Sequence, residues 1–172
     1  AGESASGKTS LYHQIVYNDW QENINTTVQS AYNKIDHTFN GKTKIINIWD
    51  TAGQERFRGI SILYFRNSKA ILFCFDLSNK SSMEKLNFWY ESAIQKDQNL
   101  SNFFLVGCKS DLTAAVTDEE IIKFANERDM KYFKTSAKLG SGVADLLNAI
   151  TQSLDDEPQT QKLVTVAKKG CC

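Results

Sequence analysis

Histidine is scarce in this sequence. Its 172 residues hold two histidines, His13 and His37, which stand alone without ligand-spaced partners, so no zinc site is expected. Cysteines are few as well: Cys74 lies in an apolar run, Cys108 follows another, and Cys171 and Cys172 end the chain. That spacing is no disulfide framework and suits a reducing compartment. No stretch approaches the ~20 apolar residues that span a bilayer, and no apolar leader follows a basic start, so a cytosolic chain is expected. An excess of one charge is also missing. Lys plus Arg and Asp plus Glu each number 20, and a formal charge of zero gives no global pull toward nucleic acid or an anionic membrane. There is no internal repeat.

What is present points to one domain. At 19.4 kDa the chain can bury a proper core, roughly 70% of its unfolded surface. Apolar, β-branched runs alternate with stretches of helical period, the mark of an α/β fold with a mostly parallel sheet. Segments 31–39 and 43–49 read as strands joined at Asn40-Gly41, which tolerates the positive φ angles of a tight antiparallel hairpin. Runs 70–76, 103–108 and 132–135 are short and nearly all apolar, as buried parallel strands are. Helices are expected over 10–17, through Met83, Leu86, Tyr90, Ala93 and Ile94, and through Ile121, Ile122 and Ala125. The third follows Thr117-Asp118-Glu119-Glu120, a capping-box signature. Val143, Leu146, Leu147 and Ile150 make a last helix. Periodicity fades after Leu154, which divides the chain into a domain over 1–154 and a flexible tail over 155–172.

Three segments carry chemistry. Gly2-Glu3-Ser4-Ala5-Ser6-Gly7-Lys8-Thr9 fits the phosphate-loop pattern G-x-x-x-x-G-K-[ST]. In that pattern backbone N–H groups face the phosphates at a helix N-terminus, the lysine meets the β and γ oxygens, and the threonine hydroxyl binds Mg²⁺. Asp50-Thr51-Ala52-Gly53-Gln54-Glu55 follows directly on a strand, where a carboxylate can reach the metal's surroundings and a glycine N–H a γ-phosphate. Gln54 stands where a side-chain amide orients an attacking water, as in the Ras-type GTPases whose glutamine is the general example of that role. Asp111, after the strand ending at Cys108, could accept from the ring N–H and exocyclic amine of guanine, donors that adenine lacks. Ser136-Ala137-Lys138, after the last strand, would offer a backbone N–H to the guanine oxygen. Both lie at strand carboxyl ends, where open α/β sheets bind ligands.

Taken together these segments resemble the small GTPases of the Rab family, within the Ras superfamily, and the endosomal members above all. The resemblance rests on GESASGKTS, TTVQSAY, IWDTAGQERFRGIS, YFRNSKA, FCFDLSN, VGCKSDL, TSAK and the terminal Cys-Cys. It implies a P-loop NTPase fold, a Ras-like three-layer α/β/α sandwich. It also implies phosphate binding by Glu3, Ser4, Ala5, Ser6, Gly7, Lys8, Thr9, Ser10, Thr27 and Gly53. Mg²⁺ would be held by Thr9 and Thr27, and indirectly by Asp50. Guanine would meet Trp20, Cys108, Lys109, Asp111, Ser136, Ala137 and Lys138, and Gln54 would be catalytic. Tyr32, Trp49 and Tyr64 resemble an aromatic triad offered to effectors; on residue type alone they read as partly buried core.

The implied activity is slow GTP hydrolysis that switches a monomeric protein between GTP and GDP forms. No arginine is placed to reach the phosphates in cis, so an activating protein is expected to supply that charge. An exchange factor, effectors and a prenyl-dependent escort or dissociation inhibitor complete the partners. Cys171 and Cys172 resemble a double geranylgeranyl site, and two lipid chains anchor stably where one does not. Lys162, Lys168 and Lys169 could add about 1 kcal/mol each near an anionic leaflet. The implied place is the cytoplasmic face of endosomal or other vesicle membranes, with a cytosolic pool, and the process is vesicle targeting and fusion.

Three departures stand out. Cys108 replaces the asparagine of the guanine motif, and a thiol is a weak donor, so about 1–3 kcal/mol of affinity is expected to be lost. Gln29 replaces a glycine after the switch threonine and would be costly only at positive φ. The strand from which the phosphate loop emerges is absent, so the sequence is expected to be a fragment whose full form opens with an apolar run. Two rival readings remain at this point, a degenerate module indifferent to nucleotide and a small ATP-using phosphotransferase.

Overall fold

A computed structural model describes residues 1–154, apart from 23 and 99. The order is α1 (Lys8–Tyr17), β1 (Ala31–Phe39), β2 (Lys42–Asp50), a 3₁₀ turn (Glu55–Phe57), α2 (Arg58–Leu63) and β3 (Ile71–Asp76). Then come α3 (Lys80–Glu84), α4 (Leu86–Lys96), β4 (Phe103–Cys108), α5 (Asp118–Asn126), β5 (Lys131–Lys134) and α6 (Val143–Ser153).

The described strands form two sheets. β1 and β2 pair antiparallel through a turn in which Asn40 (φ 50°) and Gly41 (φ 74°) both take the left-handed region, as their dipeptide requires. β3, β4 and β5 are parallel, with β4 in the middle. The mostly parallel sheet expected from the sequence, without its opening strand, is present as these two parts. Ala1 runs along β3, its amine donating to the Leu72 carbonyl (2.7 Å) and its carbonyl accepting from the Cys74 N–H (2.8 Å).

Alternation along the parallel strands builds a core on each face. Phe73, Phe75, Phe103 and Leu105 pack with Leu86, Trp89 and Ala93 of α4 and Ile121, Phe124 and Ala125 of α5. Cys74, Phe104, Val106 and Cys108 meet Leu11 of α1 and Val143, Leu146, Leu147 and Ile150 of α6. Ile46 of β2 joins the second cluster, which docks the hairpin onto α1 and α6. Every residue of β4 is buried, the pattern of a strand covered on both sides.

Local signals mostly hold. Thr117 and Glu120 form the reciprocal capping box that opens α5. Three expectations need correction. The strand expected over 132–135 as buried on both faces is the edge strand β5, with Lys131 and Lys134 exposed and Tyr132 and Phe133 only partly buried. The stretch through Met83 and Ile94 is two helices, with a junction at Lys85, and Ile94 is exposed while Trp89 takes the central place. Ile122 also faces solvent, since its neighbour Ile121 already points inward and successive helical residues diverge by about 100°.

Tyr132 of β5 buries its hydroxyl with no hydrogen-bond partner, 3.1 Å from where a Cβ on Gly107 would lie. Burial, with Asp118 and Cys108 nearby, pushes its phenol up to about 12. Unfolded tyrosine ionises near 10, so stability is intact below that pH and falls as pH rises toward the folded value. Tyr132→Phe is expected to raise stability at pH 7 by about 1 kcal/mol and to flatten the alkaline fall. Urea unfolding at neutral and alkaline pH checks both, and a less stable Phe variant at pH 7 would count against the orphaned hydroxyl.

Candidate functional site

The chain turns into α1 through Gly7 (φ 97°), which caps the helix without any side-chain hydrogen bond. The first N–H groups of α1 are thus left to a ligand, and the helix dipole favours an anion there. No larger residue fits at two points. A Cβ on Gly7 would come 2.9 Å from the Cys108 Cβ, and one on Gly53 would come 2.5 Å from both Lys8 Nζ and the Glu3 main chain. Ala5 bends the loop at φ 61°, a conformation that costs a non-glycine residue about 1 kcal/mol.

Lys8 reaches back to donate to the Glu3 carbonyl (2.7 Å), and burial lowers its pKa. A polyanion beside it would restore the charge that burial disfavours. Beside the lysine three oxygens converge. Thr9 Oγ1 lies 2.7 Å from Thr27 Oγ1 and donates to Asp50 Oδ2 at 2.8 Å, while Thr27 lies 3.5 Å from the same oxygen. Hard hydroxyl and carboxylate oxygens suit Mg²⁺, which commonly takes one or two protein ligands and fills its octahedron with water and substrate phosphates. The donor set fits that ion and is too small to cage one unaided.

From this corner a cleft of about 430 Å³ runs to the far end of the parallel sheet. Ser4, Ala5, Gly7, Lys8, Thr9 and Ser10 form its floor, Trp20, Thr27 and Gly53 its sides, and Cys108, Lys109, Asp111, Ala137 and Lys138 its end. Asp111 accepts from Ser136 Oγ (2.5 Å), which in turn accepts from the Leu139 N–H (3.2 Å), so the carboxylate is held at a fixed angle. Lys138 Nζ lies 5.2 Å from the Trp20 ring centre, which closes the end with a cation over an aromatic face.

Five expected residues do not line the cleft. Glu3 and Ser6 are buried beneath the loop, so any contact with phosphate falls to their main chain. Asp50 and Ser136 act through the hydroxyls just described. Gln54 lies outside, its Oε1 accepting from Arg56 Nε at 2.7 Å. Gln29 is absent from the positive-φ residues, so the replaced glycine brings no strain. Tyr32 and Trp49 are half exposed, not core, and the Tyr32–Trp49 and Trp49–Tyr64 ring centres are 4.7 and 4.9 Å apart.

One residue escaped sequence reasoning. Asp76, at the end of β3, accepts from Lys109 Nζ at 2.7 Å and from the Ser78 hydroxyl and N–H. Burial pushes its pKa up, yet these bonds outweigh it and hold the carboxyl below its usual value. Lys109, at φ 59°, is thereby drawn along the cleft end. The only available signal was an aspartate closing an apolar strand.

A sequence model of the Ras family matches residues 1–156, nearly the whole chain. The chain belongs to the Ras family. Its relatives place it near the Rab branch. It is 29% identical to the Ras-related protein RabC of Dictyostelium discoideum over 184 aligned residues, covering 99% of this chain and 94% of that one. Identity is 32% to the GTP-binding protein YPT53 of Saccharomyces cerevisiae, covering 89% and 73%, and 31% to the Ras-related protein Rab7 of Cenchrus ciliaris, covering 95% and 84%. This Ras-family chain is a Rab-related small GTPase with an α/β Ras-like fold, an enzyme that binds guanine nucleotide and hydrolyses GTP.

At the end of the cleft Cys108 stands where the sequence comparison led us to expect asparagine. Its thiol is 3.9 Å from the Val106 carbonyl, and the Cys74 hydrogen bond and burial keep it protonated, well above the usual thiol range. Neither contact replaces an amide's donors to the phosphate loop. Cys108→Asn is expected to slow GDP release by roughly five- to a hundredfold, as a gain of about 1–3 kcal/mol implies. Release of a fluorescent GDP measures it, and equal rates for both proteins would refute it.

Proposed function

We propose that this protein is a Rab-type switch in vesicle trafficking, with Mg²⁺ and the γ-phosphate holding its two mobile loops in the GTP state. What carries the reading is the meeting of Thr9, Thr27 and Asp50 oxygens beside Lys8, at one end of a cleft closed by Asp111 at the other. Main-chain N–H groups of residues 3–10, with Lys8, bind the β and γ phosphates. Thr9 and Thr27 would hold Mg²⁺, with Asp50 supporting their hydroxyls, and the ion would supply positive charge against the phosphate oxygens. Gly53 N–H binds the γ-phosphate and Gln54 orients water toward it, once Gln54 is freed from Arg56.

Asp111 selects guanine by accepting from its two N–H donors, and Ser136, Ala137 and Lys138 support the base, with Trp20 on one side. Cys108 and Lys109 line the same end. Half-exposed Tyr32 and Trp49 and partly buried Tyr64, their rings in tilted contact, form the surface that effectors read, flanked by exposed Val28, Ile60 and Leu63. Family membership brings partners of three kinds, exchange factors, activating proteins and effectors. Which compartment they act on belongs to the proposal, and endosomes are the one we infer.

Domain 1–154 is read as the catalytic unit and 155–172 as its tether. Cys171 and Cys172, which lie outside the described residues, are read as geranylgeranyl sites served by a prenyl-dependent escort. No helix among the described residues is long and apolar enough to cross a membrane, so membrane attachment would come from these lipids.

Two experiments test the proposal. Gln54→Leu is expected to cut single-turnover GTP hydrolysis at least about tenfold with GDP affinity nearly unchanged, and an unchanged rate would remove Gln54 from catalysis. Cys171→Ser together with Cys172→Ser is expected to shift a fluorescently tagged chain from vesicle membranes to cytosol. Persistent membrane location would show that the terminal cysteines are not the anchor.

A further inference from the structure

One side chain of the phosphate loop points away from the cleft into the protein. Glu3 is 8% exposed, and its Oε1 accepts from Arg58 Nη2 at 2.5 Å and from the Trp89 indole at 3.2 Å, while Lys85 Nζ lies 3.8 Å from Oε2. Arg58 opens α2, four residues after Gln54, and its guanidinium lies 4.8 Å from the Phe88 ring centre. Trp89 is wholly buried. The main chain of Glu3 is equally committed, because its carbonyl accepts from Lys8 and Gly53 is pressed against it with no space for a Cβ. Glu3 therefore touches, through different atoms, the lysine that meets phosphate, the glycine beside Gln54, and the helix that follows Gln54.

We propose that the ion pair of the Glu3 and Arg58 side chains is a strut that fixes segment 52–58 over the phosphate loop and so positions Gln54 for hydrolysis, with neither side chain touching nucleotide. A buried ion pair is a poor source of stability compared with apolar packing. What it supplies is a set distance and direction between two groups. Buried Trp89, which donates to the same carboxylate oxygen as Arg58, gives the strut a rigid base, so a shift at the loop is passed to α2 instead of being lost in side-chain motion. Glu3 and Arg58 are positioning residues, and the inference rests on the reading of Gln54 as the residue that orients water.

The test is a double-mutant cycle on the full chain with Glu3→Gln, Arg58→Gln and the pair combined, beside Gln54→Leu. Each single change is expected to slow single-turnover hydrolysis about tenfold, the double no more than either single, with the Kd for fluorescent GDP within about threefold throughout. Amide hydrogen exchange over 52–58 in the GDP form is expected to quicken in all three. Arg58→Lys keeps the buried carboxylate paired, preserves the fold if the others lose it, and is expected to fall between wild type and Arg58→Gln in rate.

Unchanged hydrolysis in Glu3→Gln overturns the strut. So do multiplying effects in the double, or a loss of GDP affinity that matches the loss of rate. If Gln54→Leu leaves hydrolysis intact, the Gln54 reading fails and the strut with it. If Gln54→Leu is slow and the cycle is flat, only the strut fails.

Discussion

The structure depends on the uncapped first turn of α1, pressed against strand ends so closely that only hydrogen can stand at Gly7 and Gly53. That closeness brings Lys8 and Thr9 within reach of Asp50, Thr27 and Gly53, which arrive from three separate stretches of chain. A helix N-terminus with free N–H groups is unsatisfied by itself. Here the sheet buries it, the cleft keeps it open on one side, and Lys8 sits beside it with its charge disfavoured by burial. An anion of several negative charges answers all three conditions at once.

The far end of the cleft is built differently. It uses side chains held by other side chains: Ser136 on Asp111, Asp76 on Lys109, Lys138 over Trp20. Each pair fixes a group that could otherwise rotate freely, and the arrangement tolerates the thiol of Cys108 because its neighbours keep their own partners. Cys108 is at the same time a member of the core shared with α1 and α6.

How much of this was legible in the sequence follows the reach of each signal. Gly7, Lys8, Thr9, Gly53 and the Asn40-Gly41 turn answer to local backbone demands, so their spacing alone located them. The capping box at Thr117 and Glu120 was readable for the same reason. Alternation and helical period gave the strands and most helices, but a stripe through Met83 and Ile94 could not show the junction at Lys85 or that Trp89 would fill the centre. The partners of Glu3 and Asp76 were invisible, because they come from residues far along the chain whose meeting is a property of the packed fold. The aromatic triad shows the limit of residue type: Tyr32 and Trp49 looked like core by composition, and only the family resemblance suggested a surface.

Titration of the full chain with labelled GDP, with and without Mg²⁺ and against unlabelled ATP, bears most directly on the claim that this cleft holds a guanine nucleotide. Saturation below micromolar GDP, weakened when Mg²⁺ is removed and unaffected by ATP, is the result predicted. No uptake at micromolar GDP, or equal displacement by ATP, would contradict it.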